Sequence, residues 1–293
     1  MNYYNEIKQE LINNEIYKKV KDYSKNKRDL TTYYNVGKML AEAGKHYGEG
    51  IIREYSKKLS KEFNKNYSIT TLKYMRQFFY FANSHSLSDQ LTYTHYKLLI
   101  PIKNNDAIIY YISISINNNL SIRELAQKIK TKEYERLDTK TREKIANGQK
   151  ISLTEGIKNP LLIYNKSNYK DISEKVIQTI IMEDISTFLE ELGPGFTFIK
   201  NEYKIKLGNN YNYIDLLLFN IKYNCYVVIE LKNTELKKDH IGQIQIYMNY
   251  IDTNLRTINQ GKTIGIIICK KDNKYIIEYC SDSRIISREY KII

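Results

Sequence analysis

The chain has 293 residues, 42% hydrophobic and 27% charged, enough to bury a sizeable core in one large domain or two ordinary ones. Its net charge of +13 favours an acidic partner, nucleic acid first, although an AT-rich coding sequence would produce the same surplus of Lys together with the 28 Tyr and the absence of Trp. The scattered Cys225, Cys269 and Cys280 and the isolated His46, His85, His95 and His240 lack zinc-ligand spacing, and the polar start and short apolar runs predict no secretory leader and no membrane span, so a reducing cytoplasm is expected.

Residues 3–23 predict an amphipathic helix, with Ile7, Leu11, Ile16 and Val20 on a rough helical period. Residues 33–43 predict a second, stopped by Gly44 and Lys45, and residues 50–63 a third. A polar turn over 64–68 leads into a fourth helix, 69–82, carrying Lys73 and Arg76. Helix, tight turn, basic helix is the outline of a helix-turn-helix unit, though ordinary helical packing produces the same outline. A second such outline follows, with a helix over 106–116, a break at Asn117-Asn118-Asn119, and a helix opened by Ser121-Ile122-Arg123-Glu124, spaced as a capping box. Lys73, Arg76 and Arg123 are therefore the candidate nucleic-acid contacts.

From 130 to 148 the chain is very polar, an exposed helix or linker. The expected division is a helical domain over 1–135, a charged connecting segment over 136–170, and an α/β domain over 171–293. In the last, residues 172–192 predict one long amphipathic helix ending at Gly193-Pro194-Gly195. Short strands are expected over 196–199, 202–207, 211–219 and 226–231, with Gly208-Asn209-Asn210 as a hairpin turn. A helix over 238–255, a buried strand over 263–269 and another strand over 274–279 complete an α/β pattern with a mixed sheet.

Two of these strands carry charge inside apolar runs. Asp215 stands in Tyr213-Ile214-Asp215-Leu216-Leu217-Leu218-Phe219, and Glu230 and Lys232 end Tyr226-Val227-Val228-Ile229-Glu230-Leu231-Lys232. Side chains alternate along a strand, so Glu230 and Lys232 share a face and Leu231 points the other way. Two converging carboxylates suit Mg²⁺, which is held by one or two carboxylates plus waters and substrate phosphate. Asp215 and Glu230 would supply these, with the Leu231 carbonyl as a third oxygen and Lys232 beside the attacking water and the phosphate. An ion pair between Asp215 and Lys232 is the structural alternative for the same residues. Gln243 and Tyr247, four apart on the following helix, share a face that can reach phosphate or a metal-bound water.

Asp, then Glu-x-Lys, then Gln-x-x-x-Tyr resembles the PD-(D/E)XK nucleases in their RecB-like variant. Residues 188–198, Tyr213 to Phe219, Val228-Ile229-Glu230-Leu231-Lys232 and Gly242-Gln243 resemble YhcG-type (DUF1016) bacterial proteins. Val36-Gly37-Lys38, Tyr47-Gly48, Leu59-Ser60, Met75-Arg76-Gln77-Phe78, residues 91–96 and residues 121–125 do so in the first half. Tyr93 departs from the family, which tends to have Trp there. The resemblance implies an α+β two-domain protein, with an N-terminal helical, winged-helix-like domain in a nucleic-acid role and a C-terminal restriction-endonuclease-like fold. It implies a Mg²⁺-dependent nuclease acting on DNA, with Mn²⁺ as a substitute. Asp215 and Glu230 match the metal-binding acids, Lys232 the catalytic lysine, and Gln243 and Tyr247 the helix motif. A further metal-binding acid is expected on the first helix of the nuclease fold, with Glu183 the candidate and Asp184 and Glu174 its rivals. A non-catalytic nucleic-acid-binding or assembly protein using the same fold is the alternative function. Cutting both strands in one event would call for a homodimer.

Overall fold

The computed structural model describes residues 3–19 and 25–293 of the chain. The chain divides into two compact units, Met1–Tyr134 and Glu135–Ile293.

The first unit contains α1 (Tyr3–Lys19), α2 (Lys25–Tyr47), α3 (Ile51–Phe63), α4 (Ile69–Ser84), α5 (Tyr93–Leu99), α6 (Asn105–Asn117) and α7 (Ile122–Lys130). Residues 20–23 of the expected first helix, with Val20, lie outside the described residues. The buried stripe of α1 runs through Tyr3, Ile7, Leu11 and Asn14, while Ile16, expected on that stripe, is 57% exposed. Asn14 can stay inside because its Nδ2 donates to Asp29 Oδ1 at 2.8 Å. α2 runs past Gly44, since one helical glycine costs only about 1 kcal/mol, and stops before Gly48, whose φ of +78° leaves the helical region.

The helix-turn-helix outline is present. α3 ends at Asn64 in the left-handed region (φ 47°), and Ser68 caps α4 by accepting from the Thr71 N–H at 3.1 Å. The capping box at Ser121 and Glu124 is also formed, with the Ser121 N–H donating to Glu124 Oε2 at 2.6 Å. Among the described residues this unit has no strand, so the expected winged-helix character lacks its wing. The Ile-rich stretch expected as a helix over 106–116 forms α6, started by the Asn104 side chain accepting from the Ala107 N–H at 3.1 Å.

The second unit contains α8 (Thr139–Ala146), β1 (Leu161–Ile163), α9 (Glu174–Glu183), α10 (Ile185–Leu192), β2 (Phe196–Leu207), β3 (Asn210–Asn220), β4 (Cys225–Glu235), α11 (Lys238–Asn254), β5 (Gly261–Lys271), α12 (Lys274–Glu278) and β6 (Ile285–Ile292). One six-stranded mixed sheet has the order β1-β6-β5-β4-β3-β2. Its β4, β5, β6 and β1 are mutually parallel, while β3 runs antiparallel to both β4 and β2. One face packs α9 and α10 against Leu216, Leu218, Ile229 and Leu231. The other packs α11 against Leu217, Val228, Ile267 and Cys269.

Four expectations are corrected. The strands over 196–199 and 202–207 are one strand, β2, interrupted by a bulge between Phe198 and Lys200. The single helix over 172–192 breaks at Asp184 (φ −143°, ψ 56°), whose carboxylate accepts from the Thr187 N–H and starts α10. The expected strand over 274–279 is α12, because β5 pairs in parallel with β6 and a parallel neighbour needs a crossover between the two strands. The expected connecting segment over 136–170 is built into the second unit. β1 pairs with β6, and Arg288 donates to the Thr154 and Ile157 carbonyls at 2.8 and 2.9 Å. Arg136 and Lys158 flank the buried Glu191 carboxylate, Lys158 at 3.7 Å.

Candidate active site

β3 and β4 position the charged residues. Their ladder runs as far as Leu216 opposite Ile229, which sets Asp215 opposite Glu230 at the next step. Asp215 Oδ2 accepts from the Leu231 N–H at 2.7 Å, and the Asp215 N–H lies 3.5 Å from Glu230 Oε1. Val228 and Glu230 alternate with Ile229 and Leu231, so Glu230 lies on the α11 side and Leu231 in the α9 and α10 core. Lys232 is on the Glu230 side, its Nζ 3.3 Å from Glu230 Oε2. This ion pair stands where Asp215 with Lys232 had been the alternative. The N–H and C=O of one strand residue point to the same edge, so the Leu231 carbonyl shares the Asp215 side of β4.

Glu230 is 1% exposed. Burial, and after it the neighbouring Asp215 carboxylate, push its pKa up to about 8, and Lys232 offsets only part of this. Burial also raises Asp215; the Leu231 N–H and Lys232 oppose that, while Glu174 and Glu202 add to it. Two carboxylates share one ammonium in a nearly dry place. On α11, Gln243 Nε2 donates to Tyr247 Oη at 3.1 Å, and the Tyr247 hydroxyl, raised first by burial, also feels Glu230, Lys232 and Asp215.

Glu183 is not part of this cluster. It is exposed at the far end of α9, where it accepts from Ser167 at 2.8 Å and Tyr169 at 2.7 Å. Glu174 is the acid of α9 beside the cluster: its Oε1 accepts from the Asn233 N–H at 3.1 Å, just past the strand end that carries Lys232. Glu183 lies nine residues further on, about 13 Å along the helix. Asp184 pairs with Lys166 at 2.5 Å and caps α10. Among the described residues no group of three or more His, Cys, Asp and Glu could hold a metal ion.

The sequence pattern passed over three neighbours. Gln178 of α9 donates to the Asp215 carbonyl at 3.1 Å. Glu202, at φ 46°, falls opposite Asp215 between the pairs Asn201–Leu216 and Tyr203–Ile214. His240 opens α11, where burial first and Lys232 second lower its pKa. The packing of α9, the β2–β3 register and the start of α11 bring these to the site.

In the first unit Lys73 and Arg123 are exposed. Arg76 is committed to a two-pronged pair with Glu49, at 2.6 and 2.9 Å, and its side chain is only 18% exposed.

The profile of the DUF1016 N-terminal domain matches residues 7–136, and that of the YhcG PDDEXK nuclease domain matches residues 154–292. The protein named "Putative nuclease YhcG" of Escherichia coli (strain K12) is 22% identical across 89% of this chain and 82% of its own length. Among solved structures, a repair endonuclease from Pyrococcus abyssi overlaps 43% of this chain and 49% of its own, at 16% identity and a TM-score of 0.29. The EndoMS–dsDNA2 complex overlaps 43% and 48%, at 19% identity and a TM-score of 0.29. The chain spans about half the length of these two structures. No helix among the described residues is long and apolar enough to cross a membrane. With both profiles matched in order, the chain belongs to the YhcG family, a DUF1016 N-terminal domain followed by a PDDEXK nuclease domain.

Proposed function

We propose that the second unit hydrolyses DNA phosphodiester bonds with Mg²⁺, or Mn²⁺ in its place, held by the Asp215 and Glu230 carboxylates and the Leu231 carbonyl. Nucleases of this family generally use divalent metals. The observation that carries the assignment here is Glu230, buried to 1% exposure opposite a second carboxylate, with Lys232 the ammonium beside it among the described residues. Such a surplus is costly unless a cation joins it. The donor set fits a hard ion that takes few protein oxygens and keeps several waters, so the lack of a third acid does not count against it. When bound, the ion supplies Lewis-acid polarisation of the phosphate and a more acidic water.

The remaining work falls to the chain. Lys232 donates from Nζ to a phosphate oxygen and steadies the charge that builds there. Asp215 is fixed by the Leu231 N–H, so it is set in place before substrate arrives. The Tyr247 hydroxyl, positioned by Gln243, donates to phosphate at the α11 side of the site. Lys73 and Arg123 of the first unit contact DNA backbone, whereas Arg76 holds Glu49.

Supercoiled, linear, single-stranded and branched DNA incubated with the protein, with Mg²⁺ and with chelator, tests this. Asp215→Ala, Glu230→Ala and Lys232→Ala should each lower the rate by about 10²–10³. Cleavage that survives all three substitutions overturns the site. DNA binding with no cleavage of any substrate establishes the scaffold role instead. Sedimentation at cutting concentrations then reads whether two copies assemble.

A further inference from the structure

Beyond the Glu202–Asp215 position the β2–β3 hairpin continues to its tip at Gly208. One face of this arm is apolar: Tyr203, Ile205, Leu207 and Ile214 pack into the core that holds α11. The other face is of a different kind. Lys204 stands opposite Tyr213 and Lys206 opposite Tyr211, so all four side chains share that face. Tyr211 is 55% and Tyr213 51% exposed, and both lysines are exposed. Lys204 Nζ lies 3.8 Å from the centre of the Tyr211 ring, so an ammonium and an aromatic face meet on this strip. Asp215 is two residues along β3 from Tyr213, about 6.8 Å at the rise of an extended strand.

A lone exposed tyrosine needs no explanation. Two exposed rings flanked by two ammonium groups, next along β3 to a candidate metal-binding carboxylate, do. Lysines alone would suit any phosphate backbone. The rings add a selection, since a duplex keeps its base faces stacked inside and a single strand offers them. The strip changes sign at Glu202, which confines phosphate contact to the outer two positions of the arm.

We propose that this face of the β2–β3 hairpin binds single-stranded DNA and leads it to the Asp215–Glu230 site. Tyr211 and Tyr213 stack on unpaired bases, and Lys204 and Lys206 hold the flanking phosphates. The proposal rests on the nuclease assignment of that site and names the form of DNA it takes.

Fluorescence anisotropy of the full-length protein in chelator tests it, with labelled oligo-dT and a blunt duplex of equal length over a salt series. The unaltered protein should bind oligo-dT more tightly than the duplex. Tyr211→Leu with Tyr213→Leu, which keeps apolar bulk and loses the π faces, should weaken oligo-dT binding at least about tenfold and duplex binding less than about twofold. Tyr211→Phe with Tyr213→Phe should bind as the unaltered protein does. Lys204→Ala with Lys206→Ala should weaken binding and flatten the log–log salt slope on oligo-dT by about 1.4, at about 0.7 per phosphate contact. Leu variants that bind oligo-dT normally, or that lose both ligands equally, overturn the proposal. Chelator keeps the two assignments separable. Single-strand binding through the arm with no cleavage after Mg²⁺ is added sinks the nuclease assignment alone; cleavage with unchanged binding by the Leu variants sinks the strip alone.

Discussion

Glu230 has almost no water around it, one carboxylate opposite and one ammonium beside it. Its folded-state pKa of about 8 lies above the roughly 4.3 of a glutamate in an unfolded chain. Below both values the group is protonated in either state and costs nothing. As pH rises between them the unfolded chain releases the proton and the folded chain keeps it, so stability falls, and above about 8 the loss is complete. At 1.36 kcal/mol per pKa unit the loss amounts to several kcal/mol, and Asp215, also raised, acts in the same sense. The metal-free protein should therefore melt at lower temperature at pH 8.5 than at pH 5, and Glu230→Gln should flatten that dependence. Equal slopes for the two proteins would exclude Glu230 as the source. Asp215, Glu230 and Lys232 were legible in the sequence because strand alternation is a local rule and each stands out against apolar neighbours. Glu202 and Gln178 were not, and Glu174 stood only as a rival to Glu183, because their nearness to Asp215 depends on how β2 registers with β3 and how α9 crosses the sheet. Neither is written in the spacing along the chain.

Elements with a side-chain start were the most legible, and α3, the turn and α4 came through because Asn64 and Ser68 set the turn locally. The break between α9 and α10 did not, since the apolar period of Ile177, Ile180 and Ile181 resumes at Phe188 and Leu192 and conceals the cap at Asp184. β6 was missed because Ser287, Arg288 and Glu289 interrupt it, although Arg288 is spent on the Thr154 and Ile157 carbonyls. Gly37 belonged to a motif whose reason only the packing supplies. A Cβ there would stand 2.2 Å from the Met75 carbonyl oxygen and 2.9 Å from Phe79 Cβ, where α2 meets α4. Backbone cannot swing aside as a side-chain tip can. Gly37→Ala should force α2 from α4 and cost about 2 kcal/mol or more. Gly44→Ala, in the same helix, would meet the Arg76 and Glu49 side-chain ends at 3.3 and 3.6 Å. These can move, so the gain of about 1 kcal/mol in helix propensity should leave it neutral or stabilised. Urea unfolding followed on the first unit distinguishes them; equal losses would refute the close-approach account.

At the scale of the whole chain, the division expected at 135–170 and the division in the structure differ in where the second unit begins. Residues 136–170 looked like a connector because they are polar and charged, but two of their charges are held by a buried acid of α10. Arg136 and Lys158 meet the Glu191 carboxylate at α10, and all three side chains are under a tenth exposed. Arg136 also donates to the Pro160 carbonyl at 2.9 Å, and the Leu162 N–H donates to Glu191 Oε1 at 3.1 Å, which brings β1 to the sheet. Composition cannot distinguish a solvated charge run from a buried ion cluster, because the partner acid lies about 30–55 residues away. A fragment starting at residue 171 would keep every candidate catalytic residue and lose β1, both cations of Glu191 and the cover on the outer edge of β6. It should lose several kcal/mol, since removing the partners of a buried charge costs about 3–5, and its bare β6 edge should promote association. A fragment over 135–293 should fold cooperatively, and Glu191→Ala within it should reproduce much of the loss by leaving two cations buried without their acid. Denaturant midpoints and size-exclusion profiles of the three species decide it: a 171–293 fragment as stable and monomeric as 135–293 would return residues 136–170 to the role of a linker.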